Sequence, residues 1–166
     1  PHHTESSFDS TDGLGLLGLQ TTFHENKLTS QVVASAKDFP FLGKRISVDD
    51  IKGYEIHMGT TEFLCDRDSQ PLCVKERRGE VCDAAEGTVN EEENVFGTYI
   101  HGFFDHDGLR RAILNALREK KGLPALAVTR NRYREKEESY DRLAAVVRAH
   151  LDMDKLKEIM GEKVGC

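Results

Sequence analysis

Residues 95–105 read Val-Phe-Gly-Thr-Tyr-Ile-His-Gly-Phe-Phe-Asp, and this stretch is the sharpest local feature of the sequence. Its β-branched and aromatic residues favour a strand that ends at His101, just before Gly102. Beyond it, apolar residues recur every three or four positions, which predicts an amphipathic helix capped by Asp105 or Asp107. In open α/β sheets, functional sites lie at such strand ends. His101 is therefore a candidate general acid/base, because an imidazole exchanges protons near neutral pH.

The segments upstream of this stretch alternate between turn residues and runs rich in strand formers. Residues 14–23 and 27–36 are predicted to form a hairpin around Glu25-Asn26-Lys27. Two further short strands, 71–75 and 79–82, are predicted on either side of a turn at Arg77-Arg78-Gly79. The first hundred residues are thus expected to be mainly strand.

Residues 53–59, Gly-Tyr-Glu-Ile-His-Met-Gly, form a second motif of interest. Their period of two places Glu55 and His57 on one face of a strand. These two side chains are candidates for lining a pocket. The pattern alone favours the simpler interpretation, in which the polar face of a half-exposed strand lies in water.

Helical periodicity dominates the C-terminal third. Gly122 is predicted to end the first helix, and the charged stretch 130–138 is predicted to separate it from a second helical segment. Strands first and two C-terminal helical segments last predict an α/β domain. The polar residues 1–12 are expected to be a flexible N-terminal segment, and residues 13–166 to form the domain.

Composition excludes several classes of function. The 166 residues carry 23 Lys+Arg and 29 Asp+Glu, and this net charge of −6 argues against nucleic-acid binding. No apolar run reaches the roughly 20 residues of a membrane-spanning helix. The four cysteines form no Cys-x-x-Cys pair, and no signal-peptide pattern is evident, so we expect free thiols and a cytoplasmic protein. The histidines show no ligand-like pairing, and we expect no metal site.

Several motifs in order resemble one family of glutaminases. They are Gly13-Leu-Gly-Leu-Leu17 with Thr21-Thr22-Phe23, then residues 53–59, then residues 97–105, followed by Arg110-Arg111-Ala-Ile-Leu-Asn115 and the tail motifs 140–144 and 150–154. Together they resemble the C-terminal glutamine amidotransferase domain of cobyric acid synthases, in the cobyrinate/cobyric acid class of triad-type glutaminases. The resemblance covers residues 12–160 and implies the C-terminal portion of a class I glutamine amidotransferase-like, flavodoxin-like fold.

The resemblance also implies a chemistry. Such enzymes release ammonia from L-glutamine through a Cys thioester, and the ammonia amidates the corrinoid polycarboxylate adenosylcobyrinic acid a,c-diamide to give cobyric acid. The family's histidine matches His101 by motif, which gives this residue the role of general acid/base. No cofactor is expected in the present chain, because ATP and Mg belong to a synthetase domain that it does not contain.

Two departures from the family pattern bear on activity. Many triad glutaminases orient the histidine with a Glu two residues later, where this chain has Phe103. The orienting residue is therefore unassigned, with Asp105 and Glu55 as candidates. The family nucleophile lies in a Gly-x-Cys-x-Gly elbow upstream of the Gly13–Leu17 motif, and the chain holds no such elbow. The chain alone is therefore expected not to hydrolyse glutamine.

Two alternatives stay open. One is a related amidotransferase, either cobyrinate a,c-diamide synthase or the glutaminase partner of a lipid II amidating ligase. The other is a non-catalytic interaction module on the same scaffold. A piece of a domain that lacks its first strands also exposes sheet edges, so we expect self-association into a homo-oligomer.

Overall fold

The computed structural model describes residues 6–64, 69–128 and 130–161. Strands come first and helices last, which confirms the expected mixed α/β class. The strands are β1 (Leu19–Phe41), β2 (Lys44–Phe63), β3 (Leu72–Arg77), β4 (Glu80–Glu86), β5 (Thr88–Val89), β6 (Phe96–Gly97) and β7 (Ile100–His101). The helices are α1 (Asp107–Lys120), α2 (Arg132–His150) and α3 (Met153–Ile159), and a 3-10 turn, Phe103–Asp105, lies between β7 and α1.

Five of the strands form one sheet in the order β4-β3-β1-β2-β7, and every neighbouring pair in it is antiparallel. β5 and β6 form a separate antiparallel pair. In the described chain, β1 with β2 and β3 with β4 form hairpins within the large sheet, and His101 lies on the last strand, at one edge of that sheet.

The predicted hairpin around residues 25–27 is wrong. β1 runs through that segment as one long strand, and a shift in its register against β2 between Phe23 and Leu28 absorbs the irregularity. The actual reversal is at Leu42-Gly43, whose φ angles of 51° and 75° suit a two-residue hairpin turn. The strands predicted around Arg78-Gly79 are confirmed as β3 and β4.

The hydrophobic core lies on one face of the large sheet, which we call the inner face. Sheet residues Val32, Ala34, Ile51, Val74 and Ile100 pack there with Leu109, Ile113 and Ala116 of α1 and with Phe39 and Phe103. Most of the apolar positions that the periodicity indicates in α1 are thus buried, whereas Leu117, near the end of the helix, is exposed. The helix lies directly after the 3-10 turn, so the core also anchors the chain that follows His101.

The helix cap differs from the prediction. His106 caps α1, because its Nδ1 accepts a hydrogen bond from the N–H of Leu109 at 3.0 Å. Asp105 belongs to the preceding 3-10 turn, and Asp107 is already the first helical residue, where it pairs with Arg110. Neither aspartate therefore occupies the capping position.

Residues 130–161 belong to a second compact unit, which is divided from the first between Thr129 and Arg130. The predicted separator 130–138 is mostly helical, since α2 begins at Arg132. The Asn131 side chain caps the helix through the N–H of Arg134 at 2.9 Å, so the charged residues that follow enter the first turns. The division into a flexible segment 1–12 and a domain 13–166 stays a prediction. Among the described helices, none combines the length and the apolar character that a bilayer crossing requires.

Candidate active site

His101 lies on the outer face of the large sheet, opposite the core. β7 pairs with β2 so that Tyr54 is opposite His101 and Glu55 is opposite Ile100. Directly paired residues project to the same face, and the rings of Tyr54 and His101 stack at 5.0 Å between centroids and 9° between planes. His101 is exposed, so its ring is open to a substrate or to another protein segment.

Two glycines allow β7 to take this position. A Cβ on Gly53 would lie 2.6 Å from Cγ2 of Ile100 and would also collide with the carbonyl oxygen of His101. Gly102 has a φ of 81°, which lets the chain leave the strand immediately after His101. The glycines in the motifs 53–59 and 97–105 therefore have a direct structural role in placing the histidine.

Glu55 lies on the inner face, opposite in direction to His101. Its carboxylate accepts two hydrogen bonds from Arg77, at 3.0 Å from Nε and 3.1 Å from Nη2, and the residue is only 2% exposed. The hydrogen bond to Glu55 is the main cause that raises the pKa of the Arg77 guanidinium. The interpretation of Glu55 as part of a solvated strand face is thus wrong, because the carboxylate is buried. The positive charge of Arg77 compensates the cost of that burial.

The same geometry corrects the list of orienting candidates for His101. Glu55 cannot orient that ring, because the backbone of the sheet separates the two side chains. Asp105, the other candidate, lies in the 3-10 turn that follows His101, and its role stays a prediction.

Glu86, at the end of β4, is a residue that the sequence analysis missed. Its carboxylate accepts hydrogen bonds from the N–H of Tyr99 at 2.7 Å and from the hydroxyl of Thr98 at 2.8 Å. Thr98 Oγ1 in turn accepts the N–H of Ile100 at 3.0 Å. Burial raises the pKa of the Glu86 carboxyl, and the nearby Glu55 adds to the rise, whereas the hydrogen bonds from Tyr99, Thr98 and Gly87 oppose it.

These contacts explain why the predicted continuous strand 95–101 is interrupted. Residues 96–97 pair with β5 and residues 100–101 pair with β2, in two different sheets. Between them, a side-chain carboxylate and a side-chain hydroxyl take the backbone N–H groups that a strand ladder would otherwise use.

His57 lies on the same face of β2 as Glu55. Its Nδ1 donates to the carbonyl oxygen of Gly59 at 3.2 Å, and its ring packs against Tyr99 at 4.8 Å between centroids. With Glu55, Arg77 and Glu86 it lines a cavity of about 540 Å³. The notion of a pocket at this strand is therefore supported, but the cavity does not include His101. Within the described ranges, no group of three or more His, Cys, Asp and Glu residues is arranged to hold a metal ion.

The two cysteines in the described ranges, Cys73 and Cys82, are free thiols. Cys73 lies on β3, and its thiol donates to Asp83 at 2.7 Å. Cys82 lies on β4, and its thiol packs against the core and donates to the carbonyl oxygen of Val74 at 3.4 Å. These contacts direct both thiols to partners other than His101. Cys65 and Cys166 lie outside the described residues.

A strand-rich α/β domain with an exposed histidine at a strand end is compatible with a glutaminase, and the comparison with known families agrees. Residues 1–109 match the family of CobB/CobQ-like glutamine amidotransferase domains. The chain therefore belongs to this family of class I glutamine amidotransferase-like proteins.

Curated relatives point to one kind of enzyme within the family. Cobyric acid synthase from Dehalococcoides mccartyi is 39% identical over 166 residues, covering 99% of this chain and 31% of the relative. The enzymes of the same name from Clostridium novyi and Clostridium botulinum are 38% and 41% identical over 165 residues, covering 99% and 98% of this chain and 31% of each relative. The chain thus spans about a third of these relatives and matches their C-terminal portion.

Proposed function

We propose that this chain is the C-terminal part of the glutaminase of a cobyric acid synthase and that His101 is its general acid/base. The placement of His101 carries the proposal, since the residue is exposed, its ring stacks on Tyr54, and Gly53 and Gly102 allow this position at the strand end. The relatives named above support cobyric acid synthase over cobyrinate a,c-diamide synthase or a lipid II amidating glutaminase.

In the proposed reaction, His101 moves protons at each step. It takes the proton of a cysteine thiol, and the thiolate attacks the side-chain amide carbon of L-glutamine. The imidazolium then gives this proton to the departing nitrogen, so that ammonia leaves and a thioester remains. His101 next removes a proton from water, which attacks the thioester, and returning that proton to the sulfur releases glutamate.

The cysteine in this scheme comes from a segment outside the present chain. The thiols of Cys73 and Cys82 hydrogen-bond to Asp83 and Val74 rather than to His101, and the sequence holds no Gly-x-Cys-x-Gly elbow. The ammonia is used by a synthetase part that binds ATP and Mg and amidates adenosylcobyrinic acid a,c-diamide. The chain alone is therefore inactive as a glutaminase.

The first prediction concerns His101→Asn in a synthase that carries this region together with its nucleophile. We expect the rate of glutamate release from glutamine to fall by about 10²–10⁴-fold, because the acid/base is lost. Amidation driven by added ammonia stays at the wild-type rate, because it does not need the glutaminase.

The control is His150→Asn, which changes an exposed histidine in α2 and leaves both rates unchanged. Glutamate release that survives His101→Asn would refute the role of His101. Release by the present chain alone that depends on His101 would refute an external nucleophile. The interaction-module alternative would be favoured if the wild-type synthase never hydrolyses glutamine and neither variant changes its rate of amidation with added ammonia.

A further inference from the structure

The position of His101 needs an explanation beyond its own strand. β7 has only two residues, and only two pairs, Tyr54 with His101 and Glu55 with Ile100, join it to the sheet. So short an edge strand fixes its residues weakly by its ladder alone. The segment that precedes His101 must therefore be held by other contacts.

Glu86 supplies these contacts. Its carboxylate accepts hydrogen bonds from the N–H of Tyr99 and from the hydroxyl of Thr98. The same hydroxyl oxygen of Thr98 accepts a hydrogen bond from the N–H of Ile100. The three residues before His101 are thus tied, directly or through one hydroxyl, to a single carboxylate.

The carboxylate is itself rigidly placed. Glu86 is 8% exposed and pairs in the β3–β4 ladder opposite Leu72. Each of its two oxygens accepts one hydrogen bond, from Thr98 and from Tyr99. A buried polar group whose hydrogen bonds are satisfied rigidifies its surroundings, so it is well suited to hold a catalytic segment in one geometry.

We propose that Glu86 is the positioning residue of the catalytic histidine, acting through Thr98 and the backbone of Tyr99 and Ile100 rather than by touching the substrate. This inference rests on the proposed role of His101. It assigns to β4, which lies at the other edge of the sheet, a part in glutamine hydrolysis.

The test uses two matched pairs of variants in the synthase that carries this region: Glu86→Ala with Glu86→Gln, and Thr98→Val with Thr98→Ser. Glu86→Ala lowers kcat for glutamine hydrolysis by about 10²-fold, the effect of misplacing a catalytic group by about 1 Å, and leaves KM for glutamine unchanged. Thr98→Val lowers kcat by about tenfold, since the N–H of Ile100 loses its acceptor. Thr98→Ser restores most of kcat, because a serine hydroxyl makes the same two hydrogen bonds. Glu86→Gln restores part of kcat, because its amide oxygen can accept from the N–H of Tyr99 or from the hydroxyl of Thr98, whereas its amide nitrogen can accept from neither.

Controls separate positioning from general damage. Amidation driven by added ammonia is unchanged in all four variants, and Glu93→Ala, which removes an exposed pair with Arg45, keeps the full kcat. Where Glu86→Ala fails to fold in a thermal unfolding scan, the Thr98 pair decides the question alone.

Three results would overturn the inference: wild-type kcat in Glu86→Ala or Thr98→Val, an equal loss of ammonia-driven activity, or no recovery in Glu86→Gln and Thr98→Ser. Full glutaminase activity in His101→Asn would instead overturn the proposed function. If His101→Asn loses glutaminase activity and the Glu86 and Thr98 variants keep it, only the positioning role is overturned.

Discussion

At the scale of single residues, Gly53 controls the attachment of β7. We predict that Gly53→Ala weakens the protein by about 1–3 kcal/mol, as overpacked sites do, because the new methyl group collides with Ile100 and with the backbone of His101. Denaturant unfolding measures the loss, and glutamine hydrolysis by the synthase falls with it because His101 is displaced.

Gly13→Ala is the matched control, since a Cβ at that position meets no atom within 4 Å. Its unfolding free energy is expected within about 0.5 kcal/mol of the wild type, as for ordinary surface changes. Equal effects of the two substitutions would show that the crowding at Gly53 is not what fixes β7.

The sequence points to His101 as a candidate and gives no comparable signal for Glu86, for a physical reason. His101 ends a run of strand-forming residues beside a glycine, and a local pattern can show that. Glu86 is fifteen positions earlier, and its partners are mainly backbone N–H groups, which every residue carries. The signal for Glu86 in the sequence is one acidic residue among the small, uncharged residues Ala84, Ala85 and Gly87, and it does not specify a partner.

At the scale of secondary-structure elements, the two tight hairpins had unequal sequence signals. Arg78-Gly79 and Leu42-Gly43 both have two positive φ angles, as the type I′ turn requires. The first was predicted from its polar, glycine-containing sequence. The second was missed because leucine rarely adopts positive φ, and the polar Glu25-Asn26-Lys27 was the stronger turn signal although β1 continues through it.

The pairing of Glu55 on β2 with Arg77 on β3 gives a prediction at the same scale. The two strands are not neighbours, since β1 lies between them, so this ion pair bridges the sheet across a strand. Arg77→Ala leaves the buried Glu55 carboxylate without its compensating charge, and we expect a loss of about 3 kcal/mol of unfolding free energy, at the lower end for a broken buried pair because Arg77 is partly exposed.

Arg45→Ala is the matched control, because the pair of Arg45 and Glu93 lies at the surface, where solvent screens it, and its loss is expected to change the unfolding free energy little. Both values come from denaturant unfolding under the same conditions. Adding Glu55→Gln to Arg77→Ala is expected to recover most of the loss, since the uncompensated charge is then gone. A double variant as unstable as Arg77→Ala would mean that the packing of Arg77, not its charge, stabilises the sheet.

At the scale of the whole molecule, the edges of the large sheet favour self-association of the isolated chain. Among the described strands, β4 lies at one edge of the sheet with β3 as its neighbour, and it presents Val81 at 91% exposure. Unpaired N–H and C=O groups beside an exposed apolar side chain favour pairing with a second copy. We therefore predict that the chain sediments above its monomer mass of 18.7 kDa, and increasingly so at higher concentration.

Val81→Lys distinguishes this edge from other surfaces, because a charged residue on an edge strand opposes pairing between copies. We expect the variant to sediment as a monomer. Leu143→Lys, which changes a comparably apolar exposed position on α2, leaves association unchanged. If Leu143→Lys dissociates the oligomer and Val81→Lys does not, the second unit mediates the contact. A monomer at every concentration in the wild-type chain would refute self-association, and it would mean that the short length of β4 and its acidic residues already protect the edge.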